Sequence, residues 1–182
     1  REGAGFTDVA ALGYGVDDPG PGTAAAWVDV ERDGRLDLSL TQDGAANLLL
    51  ANHGDMGSGY PMLIATTPAV LADPGAGRAA RWCDYDRDGD DDVYLVNDGG
   101  PNVLVRSHLG TMFEDAGSGN LDNAAAGRDA AWGDHDNDGD LDLYLTNDGA
   151  ADAYFRQEPG YFQQIFTPLL QDPGAGRAVA QG

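Results

Sequence analysis

One segment of this chain is repeated three times, and the repetition limits the folds that the chain can adopt. The segment GTAAAWVDVERDGRLDLSLTQDG, from Gly22 to Gly44, aligns without a gap with GRAARWCDYDRDGDDDVYLVNDG, which begins at Gly77. A third copy, GRDAAWGDHDNDGDLDLYLTNDG, begins at Gly127. Self-similarity at a spacing of about fifty residues is typical of solenoids, propellers and other arrays of one supersecondary unit. We therefore expect a row of similar units.

Each unit contains four short apolar runs that are separated by turn residues. The runs LDLSL, DVYLV and LDLYL alternate between apolar and polar residues, as half-buried strands do. Two more runs follow in each unit, the third beginning at Asn47, Asn102 and Asp152, the fourth at Tyr60, Thr111 and Tyr161. Helix signals are nearly absent. Four strands in about fifty residues predict an all-β fold, with one four-stranded β-propeller blade per unit.

The predicted organisation is a single β-propeller-type repeat domain over residues 1–182. Its three complete blades cover residues 22–70, 77–120 and 127–170, and partial units with strands of their own cover residues 1–21 and 171–182. Closing a propeller takes about four to eight blades. We therefore expect an incomplete ring, as part of a larger propeller or as one protomer of an assembly. Apolar blade faces left open in an arc favour association with another protein or with a second copy.

The charge of the chain excludes several classes of partner. Its 31 acidic residues outnumber 10 basic ones and give a formal net charge of −21. Nucleic acids and anionic membranes would repel such a surface, so neither is expected as a partner. No apolar run approaches the ~20 residues of a membrane span, and membrane insertion is not expected. The acidic composition can then be explained by bound metal cations, by cationic partners or by a saline habitat.

An Asp-rich loop follows the first strand of each unit, and its spacing indicates calcium. Oxygen-bearing side chains occupy positions one, three, five and nine, Gly occupies position six, and position seven can offer its backbone carbonyl. Ca²⁺ takes six to eight hard oxygen ligands and tolerates irregular geometry, whereas soft-ligand metals would require Cys or His at these positions. The predicted ligands are Asp29, Glu31, Asp33, Arg35 and Asp37 in the first loop, Asp84, Asp86, Asp88, Asp90 and Asp92 in the second, and Asp134, Asp136, Asp138, Asp140 and Asp142 in the third.

Two alternative interpretations of these loops are weaker. An EF-hand shares the Asp-x-Asp-x-Asp-Gly pattern but needs Glu at position twelve and helices on both sides, whereas position twelve is Leu40, Leu95 or Leu145 within a strand pattern. A solvated acidic turn is the simpler alternative, and three copies in the same phase argue against it. The first loop, with Glu31 and two Arg nearby, is expected to be the weakest site.

With these residues the chain resembles the FG-GAP/VCBS repeat family, whose members include the integrin-α-like calcium-binding propeller repeats. The signature of the family is similar to AAWGDHDNDGDLDLYLTNDG in the third copy. The resemblance implies that each Asp-rich loop joins the inner two strands of a blade and binds Ca²⁺, up to three ions in all. It also implies a secreted, periplasmic or cell-surface protein. The chain departs from the family at Glu31 and in its number of blades, because complete members resemble seven-bladed rings.

Three classes of function follow from this pattern. The favoured one is a non-catalytic, calcium-stabilised extracellular scaffold for protein association or adhesion, in which Trp27, Trp82 and Trp132 pack between blades. No nucleophile–base pattern is present among the Ser, Cys and His residues, so an enzyme is not expected. A lectin-like propeller is the first alternative, with glycans stacking on Tyr14, Tyr60, Tyr94, Tyr144, Tyr154 or Tyr161. An accessory domain of a secreted hydrolase or lyase is the second.

Overall fold

Three four-stranded sheets make up the structure, one from each repeat. The computed structural model describes residues 18–166 except 58, 60, 118, 123 and 124. The first blade comprises β1 (Gly22–Val28), β2 (Asp37–Gln42), β3 (Leu48–Asp55) and β4 (Pro61–Ala65). The second comprises β5 (Gly77–Cys83), β6 (Asp92–Asn97), β7 (Val103–His108) and β8 (Met112–Asp115). The third comprises β9 (Gly127–Gly133), β10 (Asp142–Asn147), β11 (Ala153–Glu158) and β12 (Tyr161–Ile165).

Every sheet is an antiparallel meander, since strands that are neighbours in the sheet are consecutive in the chain. Turns and short loops are sufficient to connect antiparallel neighbours of this kind. The all-β prediction with four strands per unit is confirmed for the described residues, which contain no helix. It follows that this part of the chain has no helix long and apolar enough to cross a membrane. Of the two predicted partial units, only residues 18–21 are described; the rest lies outside the described residues.

The second strand of the middle blade differs from the half-buried pattern expected of it. In β6, Val93, Tyr94, Leu95 and Val96 are all buried, so the strand is covered on both faces. The physical reason is that a sheet lies on either side of this blade. Val93 and Leu95 pack in a cluster with the first blade, and Tyr94 and Val96 pack in a cluster with the third.

The blades stack in chain order with their first strands side by side. Strand β5 contacts β1 on one side and β9 on the other. Apolar side chains fill both gaps: Val28 and Leu49 belong to the cluster of the first pair of blades, and Leu143 and Phe155 to that of the second pair. In the described part of the chain the three sheets are not closed into a ring. The first and third blades therefore each have one face that no described blade covers.

The three repeated tryptophans show where blades cover one another. Trp132 is only 4 % exposed, stacks on Tyr85 at 6.0 Å between ring centroids, and donates its indole N–H to the carbonyl of Arg81 at 3.2 Å. Trp82 is half-buried against the cluster between the first and second blades. Trp27 is 61 % exposed. The prediction that all three pack between blades is confirmed for Trp132 and Trp82 and wrong for Trp27, because no described blade precedes the first.

Ion pairs join the blades at the end opposite the Asp-rich loops. Arg78 Nη1 lies 3.2 Å from Asp43 of the first blade, and Arg78 Nη2 lies 2.6 Å from Asp98 of its own blade. Arg128 repeats the arrangement one blade later, with Nη1 3.1 Å from Asp98 and Nη2 on Asp148. The hydrogen bond from Arg78, helped by the charge of Arg128, lowers the pKa of Asp98. The alternating charges hold the three turns in line.

Candidate metal centres

The three Asp-rich loops lie side by side at one edge of the stack. They occupy residues 29–36, 84–91 and 134–141, and each joins the first strand of its blade to the second. This agrees with the connection that the resemblance implied. Because the blades stack in register, successive loops are close enough for side chains of one to contact the next.

All three loops share one backbone conformation. The carboxylate at position one accepts a hydrogen bond from the Gly N–H at position six, at 2.9 Å in the first loop and 3.1 Å in the other two. Positions four and six have positive φ: Arg32 (53°) and Gly34 (84°), Arg87 (58°) and Gly89 (100°), Asn137 (60°) and Gly139 (96°). Gly adopts this region without steric cost, which explains its place at position six.

The second and third loops each bring three carboxylates together. Oxygens of Asp84, Asp86 and Asp88 all lie within 4.8 Å of one another. The third loop has an equivalent cluster, formed by Asp134, Asp136 and Asp138. Two oxygens that bind one Ca²⁺ at about 2.4 Å can be at most about 4.8 Å apart, so the spacing matches a shared calcium ion. Six of the predicted ligands are therefore gathered into two candidate sites.

A buried oxygen in the second loop supports this match. Asp84 Oδ1 is buried and has no hydrogen-bond partner among the described residues, while Oδ2 accepts the N–H of Gly89. Burying a carboxylate oxygen without a partner costs free energy, and a bound cation removes that cost. The donors in both clusters are hard carboxylate oxygens, the ligands that Ca²⁺ prefers. The residues therefore fit a calcium ion.

The first loop is arranged differently, although its backbone is the same. Asp29 accepts the N–H groups of Asp33 and Gly34 at 3.0 and 2.9 Å. The carboxylate of Asp33 is paired with the guanidinium of Arg35, whose Nε donates to the carbonyl of Asn52 at 2.7 Å. Glu31 is exposed. Within the described residues, this loop shows no three-carboxylate cluster like the other two.

Position nine has a structural role in all three loops. Its carboxylates are only 3 %, 1 % and 3 % exposed, for Asp37, Asp92 and Asp142 in turn. In each, one oxygen accepts the N–H of position two and the other accepts an N–H of the third strand. The partners are Val30 and Asn52, Tyr85 and Ser107, and His135 and Gln157. The carboxylate thus ties the loop to the sheet. It lies outside the two clusters, and its part in binding calcium stays a prediction.

The electrostatics of the second loop are visible at Asp92. Burial raises its pKa to about 7, and the nearby charges of Asp86 and Asp88 add to the increase. Hydrogen bonds from the N–H groups of Ser107 and Tyr85 oppose it. The neighbouring carboxylates thus disfavour the ionised form of Asp92. A bound dication would offset this repulsion among the carboxylates of the loop.

The side chains at position seven connect successive loops, and sequence reasoning missed these connections. Asp90 lies 3.8 Å from Arg32 of the first loop, and Asp140 lies 3.2 Å from Arg87 of the second. The signal was an Arg at position four of one loop followed by an Asp at position seven of the next. Carbonyl donation by Arg35, Asp90 and Asp140 stays a prediction. Sequence reasoning also missed Arg106 on β7, which contacts the cluster of the second loop.

The tyrosines assigned to glycan stacking lie in different surroundings. Tyr94 is fully buried and donates its hydroxyl to the carbonyl of Leu121 at 2.7 Å, so it is a core residue. Tyr144 and Tyr154 are half-buried and donate to carboxylates of Asp152 and Asp142 at 2.9 and 2.8 Å. Tyr161 is exposed, whereas Tyr14 and Tyr60 lie outside the described residues. The lectin-like alternative stays a prediction.

Comparison with known families identifies part of this arrangement. A family model described as FG-GAP-like repeat matches residues 84–145, from the first Asp of the second loop into β10. The resemblance to FG-GAP/VCBS repeats is thereby confirmed. Such a repeat suggests a propeller-type domain for protein interaction, of a kind that is generally non-catalytic and typically extracellular. No curated protein matches the sequence.

Proposed function

We propose that this chain, which contains an FG-GAP-like repeat, is a non-catalytic extracellular scaffold whose Asp-rich loops bind Ca²⁺ and whose open blade faces bind protein. The observation that carries the proposal is the pair of three-carboxylate clusters, Asp84, Asp86 and Asp88 in one loop and Asp134, Asp136 and Asp138 in the other. Each cluster gathers three carboxylates in a loop whose Gly N–H at position six is bonded to the first of them.

Calcium is the metal that this chemistry favours. The clusters offer carboxylate oxygens, and Mg²⁺ would demand a stricter octahedron and retain more water. Partly exposed loops of this kind suit the affinities of extracellular calcium modules, about 10⁻⁴–10⁻³ M. Such sites fill at the millimolar calcium found outside cells, which supports a secreted, periplasmic or cell-surface setting.

The outer face of the first blade supports a role in protein association. Two cross-strand rows lie on it, Trp27–Leu38–Leu50 and Ala25–Leu40–Leu48. The equivalent rows of the later blades belong to the clusters between blades; in the third blade the first such row is Trp132–Leu143–Phe155. On this face Ala25 and Trp27 are exposed, Leu38, Leu40 and Leu48 are half-buried, and Leu50 is buried. Apolar side chains that no described blade covers favour a protein partner, either another protein or a second copy of this chain.

Calcium titration of the full chain by isothermal titration calorimetry tests the metal part of the proposal. The wild type is expected to bind Ca²⁺ with dissociation constants of about 10⁻⁴–10⁻³ M. The double variant Asp86→Asn, Asp136→Asn removes one charged ligand from each cluster and is expected to bind at least about tenfold more weakly. Asp115→Asn, which removes one charge on β8, is the control and should bind as the wild type does.

Two results would contradict this proposal. One is a wild type that shows no saturable heat at millimolar calcium. The other is binding that the double variant leaves unchanged, because the ions would then occupy some other acidic surface.

A further inference from the structure

We infer that three arginines decide how strongly each Asp-rich loop binds calcium, so that the third loop is the tightest site, the second is weaker and the first binds none. The inference rests on the proposed function and adds the selection of sites to it. The three arginines are Arg35, Arg106 and Arg156, and each takes a different ion partner.

In the first loop the positive charge beside the carboxylates comes from an arginine side chain. The guanidinium of Arg35 is paired with the position-five carboxylate of Asp33 and bonded to the carbonyl of Asn52 on β3. It therefore joins the loop to the third strand and places a positive charge on one of the predicted ligands. The other loops have Asp at position seven, where the first has Arg35. A calcium ion would have to displace this internal cation.

In the second loop an arginine from outside the loop holds two of the three ligands. Arg106 Nε lies 2.7 Å from Asp86 Oδ2, and Arg106 Nη2 lies 3.1 Å from Asp88 Oδ2. The hydrogen bond to Asp88 and the charges of both carboxylates raise the pKa of Arg106. Calcium binding must break these pairs and then tolerate a positive charge nearby. The second loop is therefore a site with a built-in competitor.

In the third blade the equivalent arginine, Arg156, pairs with a carboxylate outside the Asp-rich loop. Arg106 and Arg156 each directly precede the residue whose N–H binds the position-nine carboxylate, Ser107 and Gln157 respectively. Arg156, however, pairs with Glu158 two residues along β11, on the same side of the strand, instead of with the cluster. Among the described residues, no arginine forms an ion pair with Asp134, Asp136 or Asp138.

The second blade has no acidic residue in the place of Glu158. His108 occupies it and lies 3.0 Å from Glu114 on β8, so Arg106 has no alternative anion within its own strand. Glu114, which lies opposite Arg106 in the pairing of β7 with β8, is paired with His108. The difference between Glu158 and His108 thus favours pairing of Arg106, and not of Arg156, with the metal ligands. The spacing of the Asp residues alone does not predict this difference between the second and third loops.

Calcium titrations of the full chain and three single variants test the inference. The wild type is expected to bind two ions with unequal affinities. Arg106→Ala should tighten the weaker site by about tenfold, since a competing charge is removed. Arg156→Ala is the matched control at the equivalent position and should change neither site by more than about twofold. Glu158→Ala should weaken the tighter site several-fold, by releasing Arg156 onto Asp136 and Asp138.

These titrations distinguish failure of the inference about the arginines from failure of the proposed calcium binding. Three equivalent sites in the wild type, or no change at either site in both Arg106→Ala and Glu158→Ala, would overturn the inference while calcium binding stands. Absence of any calcium binding in the wild type would remove the proposed function as well. Glu158→Ala keeps the test decisive if Arg106→Ala does not fold.

Discussion

Chelation of calcium is expected to lower the melting temperature of this chain. A ligand that binds only the native state adds RT ln(1 + [L]/Kd), which is about 1.4–2.7 kcal/mol per site at about 10 mM calcium when the dissociation constants are about 10⁻³–10⁻⁴ M. In a chain of this length, 1 kcal/mol corresponds to about 2–4 °C, so each occupied loop should contribute roughly 3–11 °C. Removing the ion also restores the repulsion among carboxylates in a loop that carries part of the −21 net charge.

Differential scanning calorimetry with calcium and with EDTA measures this shift. The double variant Asp86→Asn, Asp136→Asn is the control: its melting temperature should respond much less to EDTA, because both clusters are damaged. A wild type that melts at the same temperature in both buffers would show that the loops are held by their own hydrogen bonds alone.

Replacement of Trp132 by Ala is expected to destabilise the chain strongly, whereas the same change at Trp27 is not. Trp132 is only 4 % exposed and packs against the second blade, so its removal leaves a cavity and should cost about 3–5 kcal/mol. Trp27 is 61 % exposed, and its replacement should stay within about 0.5 kcal/mol. The two residues hold the same position in their repeats, which makes one the control for the other.

Urea unfolding of both variants gives the comparison directly. Equal losses would mean that the first blade is covered much as the third is, and that the stack of blades described here is incorrect. If the outer face of the first blade binds protein as proposed, Trp27→Ala should instead weaken association. Its effect would then appear in sedimentation equilibrium and not in the unfolding free energy at low concentration.

Much of the fold could be predicted from the sequence because the repeat fixes it locally. Period-two alternation and turn residues mark each strand within one unit, and the phased Asp and Gly positions mark the loops. Those signals depend on neighbours within about ten residues. The pattern of Asp84, Asp86 and Asp88 could therefore be assigned to one site before any tertiary structure was known.

What the sequence did not reveal depends on contacts between strands of one blade and between blades. The exposure of Trp27 follows from its place in the row of blades, which a repeat pattern cannot encode. The pairing of Arg106 with the second loop requires the third strand to lie beside that loop. The spacing of Asp92 predicts one more ligand, but both of its carboxylate oxygens accept backbone N–H groups. One of these N–H groups belongs to Ser107 on β7. Long-range partners set these roles.

The most direct test of the calcium assignment is a crystal structure grown in millimolar calcium, with anomalous difference maps calculated at a wavelength where calcium scatters anomalously. We expect peaks about 2.3–2.6 Å from oxygens of the Asp84–Asp86–Asp88 and Asp134–Asp136–Asp138 clusters, and no peak in the loop that carries Arg35. Clusters filled only by water or by arginine side chains under these conditions would contradict the account.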